Sequence, residues 1–117
     1  MDLAQMTTAW AIYHMTHKTF VEAHKKEPVF PDDYNLIAIL KSGHEENAWT
    51  ATNHIENSWH KDGCNGNGIV MALFTDKVRS SMTGDVFMNM NDCTLHKVMG
   101  LGFQQISVKE VNSHAKD

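Results

Sequence analysis

From residue 34 onward the chain is a succession of short apolar runs cut by turn-forming residues: Tyr34 to Leu40, Ile69 to Phe74, Val86 to Met90, Thr94 to Val98 and Phe103 to Val108. Asn91-Asp92 separates two of the last three runs, and Gly100 and Gly102 separate the others, so only tight reversals fit between them. Parallel strands need a crossover of about a dozen residues or more, so this spacing predicts antiparallel pairing. In Val86 to Met90 the residues alternate, with Val86, Met88 and Met90 against Phe87 and Asn89, as in a strand with two unlike faces. Tyr34 to Leu40 is instead nearly continuous in Ile, Leu and Ala, bounded by Pro31-Asp32-Asp33 and Ser42-Gly43. That pattern predicts a central strand buried on both faces.

Two helices are expected. Over residues 2 to 24, Asp2 can cap an N-terminus, and Leu3, Met6, Trp10, Tyr13, His17, Phe20 and His24 recur at steps of three and four. They predict an amphipathic helix ending near Lys25-Lys26, before Pro28 and Pro31. A second helix opens where Ser42 precedes Glu45 at capping-box spacing, with Ala48, Ala51, Thr52, Ile55 and Trp59 facing inward. Asp62-Gly63, Asn65-Gly66 and Asn67-Gly68 then predict a mobile loop over residues 61 to 68. The expected architecture is α+β and a single domain over residues 1–117. An N-terminal amphipathic helix precedes a β-α-β-β-β-β module over residues 34–108, whose mostly antiparallel sheet packs on the helices. Residues 109–117 form a frayed tail.

Composition removes several classes of function. With 42% apolar and 21% charged residues in 117, the chain has the makings of one ordinary core. The formal charge is −4 and no basic face is massed, so general nucleic-acid binding is not expected. The longest purely apolar run, Ile69 to Phe74, has six residues, against the roughly 20 of a spanning helix. No membrane segment and no signal peptide are read, and the cytoplasm is the expected compartment. Cys64 and Cys93 lack a CxxC spacing and read as free thiols, with a disulfide between them as the alternative.

The tyrosine-led strand at Tyr34, the helix reading Ala48-Trp49-x-x-Thr52-Asn53-x-Ile55-x-x-x-Trp59, the element Arg79-Ser80-Ser81-x-Thr83-Gly84-Asp85-Val86 and the terminal Gly102-Phe103 form a combination. It resembles that of small uncharacterised α+β proteins of bacteriophages and plasmids, over about two-thirds of the chain. The resemblance implies a mobile-element origin, a shared core and residence in a host-cell cytoplasm. It implies no activity. The N-terminal helix lies outside it and is a place for a specialised partner contact, through Trp10, Tyr13, His17 and Phe20.

Among candidate chemistry, Arg79 to Asp85 is the densest polar motif. Its guanidinium and the hydroxyls of Ser80, Ser81 and Thr83 could hold a phosphate or carboxylate. The competing interpretation is a structured turn, in which Gly84 supplies an unusual φ and Asp85 and Thr83 bond local backbone. Trp49 is the tryptophan expected to be partly exposed and able to stack on a ring, with Asn53 and His54 beside it on the outward helix face. Along a helix, His24 would lie about 10 Å beyond His17, so His14, His17 and His24 cannot close on one ion. Sites combining His44, His60 or His96 with a cysteine have no supporting spacing, and Cys64 lacks the flanks of a hydrolase nucleophile. No cofactor and no metal are implied. The leading expectation is therefore a non-enzymatic phage or plasmid accessory protein that binds and modulates a host protein, for example by inhibiting a defence system. The alternatives are a protein binding a phosphate-bearing nucleotide and a metal-dependent enzyme using His and Cys. Self-association through the N-terminal helix is compatible with each.

Overall fold

A computed structural model describes residues 2–23, 25–53, 59–75 and 78–107, the side chains of 61 and 62 excepted. Its strands are β1 (Thr8–Met15), β2 (Tyr34–Ser42), β3 (Ile69–Leu73), β4 (Val86–Asn89), β5 (Thr94–Val98) and β6 (Phe103–Ile106). They make one six-stranded sheet in the order β3-β2-β1-β4-β5-β6. Every neighbouring pair is antiparallel. Two short helices, α1 (His17–Glu22) and α2 (Glu45–Ala51), and a 3-10 segment, Trp59–Gly66, accompany the sheet.

The expected N-terminal helix is replaced by strand β1, so the fold is sheet-dominated rather than a helix placed before a sheet. The reason lies in double burial. Trp10 and Ile12 enter the apolar cluster beneath α2, whereas Tyr13 and Met15 enter the cluster on the opposite face. A strand that is apolar on both faces has apolar residues at every spacing, three and four included, so the helical stripe is coincidental. Trp, Ile, Tyr and Thr also favour pleated backbone. The helix that does form is α1, capped where the Thr16 side chain accepts from Thr19 N at 3.1 Å. Trp10 is buried, and Tyr13 stands edge-on to Phe30 with ring centroids 4.8 Å apart. His17 and Phe20 alone of the four expected contacts stand on a helix, both exposed. Self-association through a long N-terminal helix falls with that helix.

The rest of the chain is closer to expectation. β2 is paired on both sides, the β4–β5 hairpin reverses around Asn91-Asp92, and β6 follows Gly102. α2 is shorter than expected: its N-cap is His44, whose N–H donates to Asn47 Oδ1 at 2.9 Å, while Ser42 ends β2. Trp59 opens the 3-10 segment instead of ending α2. That segment occupies most of the expected mobile loop, and Gly63, Cys64, Asn65 and Gly66 all have positive φ. The turn carries the Asn65 amide back to α2, where it donates to Thr50 O at 2.8 Å and to Asn53 O. Carbonyls left open at a helix end are satisfied in this way. Ile55, Val108 and the tail at 109–117 lie outside the described residues.

α2 and the 3-10 segment cover one sheet face, with Ala48, Ala51, Trp59 and Cys64 packed on Trp10, Ile12, Leu40 and Phe87. On the other face Phe30 and Tyr34 pack with Met15, Val86 and Leu95.

Candidate functional site

Where β1 ends and β4 begins, two polar chains run through the interior. Asp85 is fully buried, and its carboxylate accepts four hydrogen bonds. Oδ1 takes Met15 N at 2.9 Å and Arg79 Nη2 at 2.8 Å; Oδ2 takes Arg79 Nη1 at 2.8 Å and Met82 N at 2.7 Å. A buried carboxylate persists only when paired and bonded in this manner. Arg79 Nη1 also donates to Ser80 O at 2.9 Å, and Nη2 reaches Met15 O at 3.4 Å. The terminal nitrogens of Arg79 are thus all directed into its own chain.

The second chain fixes a tautomer. The Thr52 hydroxyl donates to Ala48 O at 2.9 Å, so toward Ser81 it can only accept, and Ser81 Oγ donates to it at 2.8 Å. Ser81 has then spent its proton and accepts from His14 Nε2, 3.0 Å away. His14 therefore carries its proton on Nε2 and its lone pair on Nδ1. Burial pulls the His14 pKa down to about 4, with the Arg79 charge assisting and Asp85 opposing, so the ring is neutral at physiological pH. Tyr34, whose hydroxyl donates to Gly84 O at 2.6 Å, is pushed above its usual range by burial first and by nearby carboxylates second.

Serine, histidine and aspartate here do not make a nucleophilic triad. Asp85 Oδ2 lies 3.8 Å from His14 Nε2, the same nitrogen that meets Ser81. A triad needs serine and carboxylate on opposite ring nitrogens.

Beside the hub is a cavity of about 510 Å³ walled by His14, His17, Asn35, Phe74, Thr75 and Arg79, among others. Trp49 and Ser81 do not line it. Trp49 is half-buried on α2 and borders another pocket, of about 200 Å³, with Val98, Met99 and Phe103. The expected group of Arg79, Ser80, Ser81 and Thr83 is therefore divided. Ser81 is buried in the hydroxyl chain, Ser80 supplies a carbonyl to Arg79, and Thr83 is exposed in the turn before β4. Asn53 donates to Trp49 O at 2.8 Å at the end of α2, and His54 lies outside the described residues.

The remaining described histidines and the cysteines are dispersed. His96 pairs with Glu45 at 2.8 Å and stands edge-on to Trp10. Both cysteines are free; Cys64 is buried, which raises its thiol pKa, and Cys93 is exposed. Among the described residues no three His, Cys, Asp or Glu side chains are grouped to hold a metal ion, and no helix is long and apolar enough to cross a membrane.

Sequence reading missed His14 and Thr52 as partners of Ser81. His14, polar between Tyr13 and Met15, and Thr52, on the helix face shared with Ala48 and Ala51, were the available signals. A second missed feature is the edge of β3, which among the described residues pairs with β2 alone. Ile69, Met71, Leu73 and Phe74 are 40%, 59%, 37% and 55% exposed, in a run with no charge and no proline. Met71 falls at a register shift, between Val70 opposite Leu40 and Ala72 opposite Ile39. The other edge, β6, presents Gln104 and Gln105 instead.

No family model, curated protein or solved structure matches the chain.

Proposed function

We propose that this chain is a non-enzymatic accessory protein that binds a host protein through the open edge of β3, and that it modulates or inhibits the complex to which that protein belongs. The mobile-element setting comes from the sequence resemblance alone. The observation that carries the binding reading is the run Ile69 to Phe74, an outermost strand whose large apolar side chains are half in water. Edge strands are ordinarily guarded by lysine, proline, shortness or a bulge. β3 has the irregularity at Met71 but no charge or proline. Exposed apolar patches of this kind mark interaction surfaces, and a sheet edge offers an incoming strand both backbone hydrogen bonds and side-chain contacts. The hub supports the same reading, since Arg79 and Asp85 are committed to each other and to the backbone, and Ser81 to His14 and Thr52.

The test is capture from lysates of several bacterial hosts with immobilised protein, its Met71→Lys variant and its Phe74→Glu variant. The wild type should retain a stoichiometric protein that both variants lose while melting as the wild type does. Failure to retain any partner, or retention unaffected by both substitutions, contradicts the proposal.

A further inference from the structure

The cavity beside His14 has a chemistry distinct from the β3 edge. We infer that it is a binding site for an uncharged planar heterocycle bearing a ring N–H or amino donor, of the nucleobase or nucleoside class. Three observations converge on that class. The hydroxyl chain from His14 through Ser81 and Thr52 to the Ala48 carbonyl leaves Nδ1 as an acceptor on a cavity-lining side chain that is 3% exposed. A ring acceptor on a cavity-lining side chain can be matched by a ligand N–H in place of water.

Charge argues against a phosphate. Among the described lining residues Arg79 is the permanent cation, yet its terminal nitrogens bond to Asp85, Ser80 O and Met15 O, and the Asp85 carboxylate offsets its charge. An anion arriving there would have to compete with a fully buried carboxylate for the half-buried Arg79, whereas a neutral ring would not.

Shape gives the third observation. Phe74 lines the cavity and is largely exposed, so it offers an aromatic face at the rim, and Leu36 and Ile37 supply apolar wall behind. Aromatic faces accept any base by stacking. Asn35, opposite His14 across β1 and β2, adds an exposed amide that can both donate and accept, as a base edge requires. A volume of about 510 Å³ lies within the range of small-molecule pockets.

The experiment titrates protein labelled with ¹⁵N-histidine with adenosine, guanosine, cytidine, uridine and, separately, inorganic phosphate, following the His14 Nδ1 resonance and the melting temperature. At least one nucleoside should raise the melting temperature and move Nδ1 as its lone pair becomes bonded, while phosphate does neither. Phe74→Ala should weaken that nucleoside about tenfold or more, the loss of one stacked ring. Asn35→Leu, an exposed position outside the hub, should weaken it without lowering the melting temperature of the free protein. The inference is overturned if no nucleoside at millimolar concentration changes either signal. It is equally overturned if phosphate alone does so, or if a nucleoside binds and leaves Nδ1 unmoved. Met71→Lys should not alter nucleoside binding, which separates this site from the partner-binding edge.

Discussion

Asp85 and Arg79 meet through two hydrogen bonds of 2.8 Å, one to each carboxylate oxygen, and each oxygen also accepts a backbone N–H. One side chain thereby ties the end of β1 to the turn that leads into β4. The aspartate is fully buried while the arginine side chain is 34% exposed, so the two partners are unequal. Removing the carboxylate charge strands a guanidinium and weakens two backbone bonds. Asp85→Asn should therefore cost about 3–5 kcal/mol. Urea unfolding measures it, and a loss below about 1 kcal/mol would show that the pair does not organise this junction.

His14 makes stability depend on acid. Unfolded, the imidazole takes a proton near 6.5; folded, only near 4. Between these values the unfolded chain binds the extra proton, so stability is fully present above the higher one and is lost as pH falls toward the lower. The contribution is on the order of 3 kcal/mol. Chemical unfolding across pH 4–7 should show it, and His14→Gln should flatten part of the slope. The hydroxyl chain would need another explanation if the two profiles ran parallel.

Gly84 has φ +100, and a Cβ there would stand 2.7 Å from Met15 Cε and 3.0 Å from Met15 Sδ. The methionine end can shift, but the backbone conformation stays unsuited to a side chain. Gly84→Ala should cost about 1–3 kcal/mol. Gly100, with nothing within 4 Å of the equivalent position, is the control, and Gly100→Ala should change stability by no more than about 0.5 kcal/mol.

What could be read from the sequence followed the clarity of each periodicity. Val86 to Met90 alternates and turns at Asn91-Asp92, so the β4–β5 hairpin was readable, as was the continuous run of β2. β1 was not, because Trp10 and Met15 are buried in different clusters on opposite faces, with Tyr13 packed beside Met15, and double burial erases the period that separates strand from helix. The hub was half legible. Gly84 and Asp85 read as a turn, but the assembly of His14, Thr52 and Ser81 rests on a strand, a helix end and a connection widely separated in sequence. No local spacing encodes such a contact. The β3 edge was invisible for a related reason: Ile69 to Phe74 reads equally as a central strand, and only sheet order leaves it outermost.

The partner-binding edge is tested most directly by backbone hydrogen exchange at Ile69 to Phe74, in the free protein and in complex with its captured partner. In the free protein, amides of β3 that are not bonded to β2 should exchange rapidly; in the complex they should become protected, with Met71 at the centre of the change, while the Phe74 amide, already bonded to Ile37 O at 2.8 Å, should exchange slowly in both. Unchanged exchange along β3, with protection appearing at β6 or α1 instead, would contradict the assignment of this edge as the binding surface.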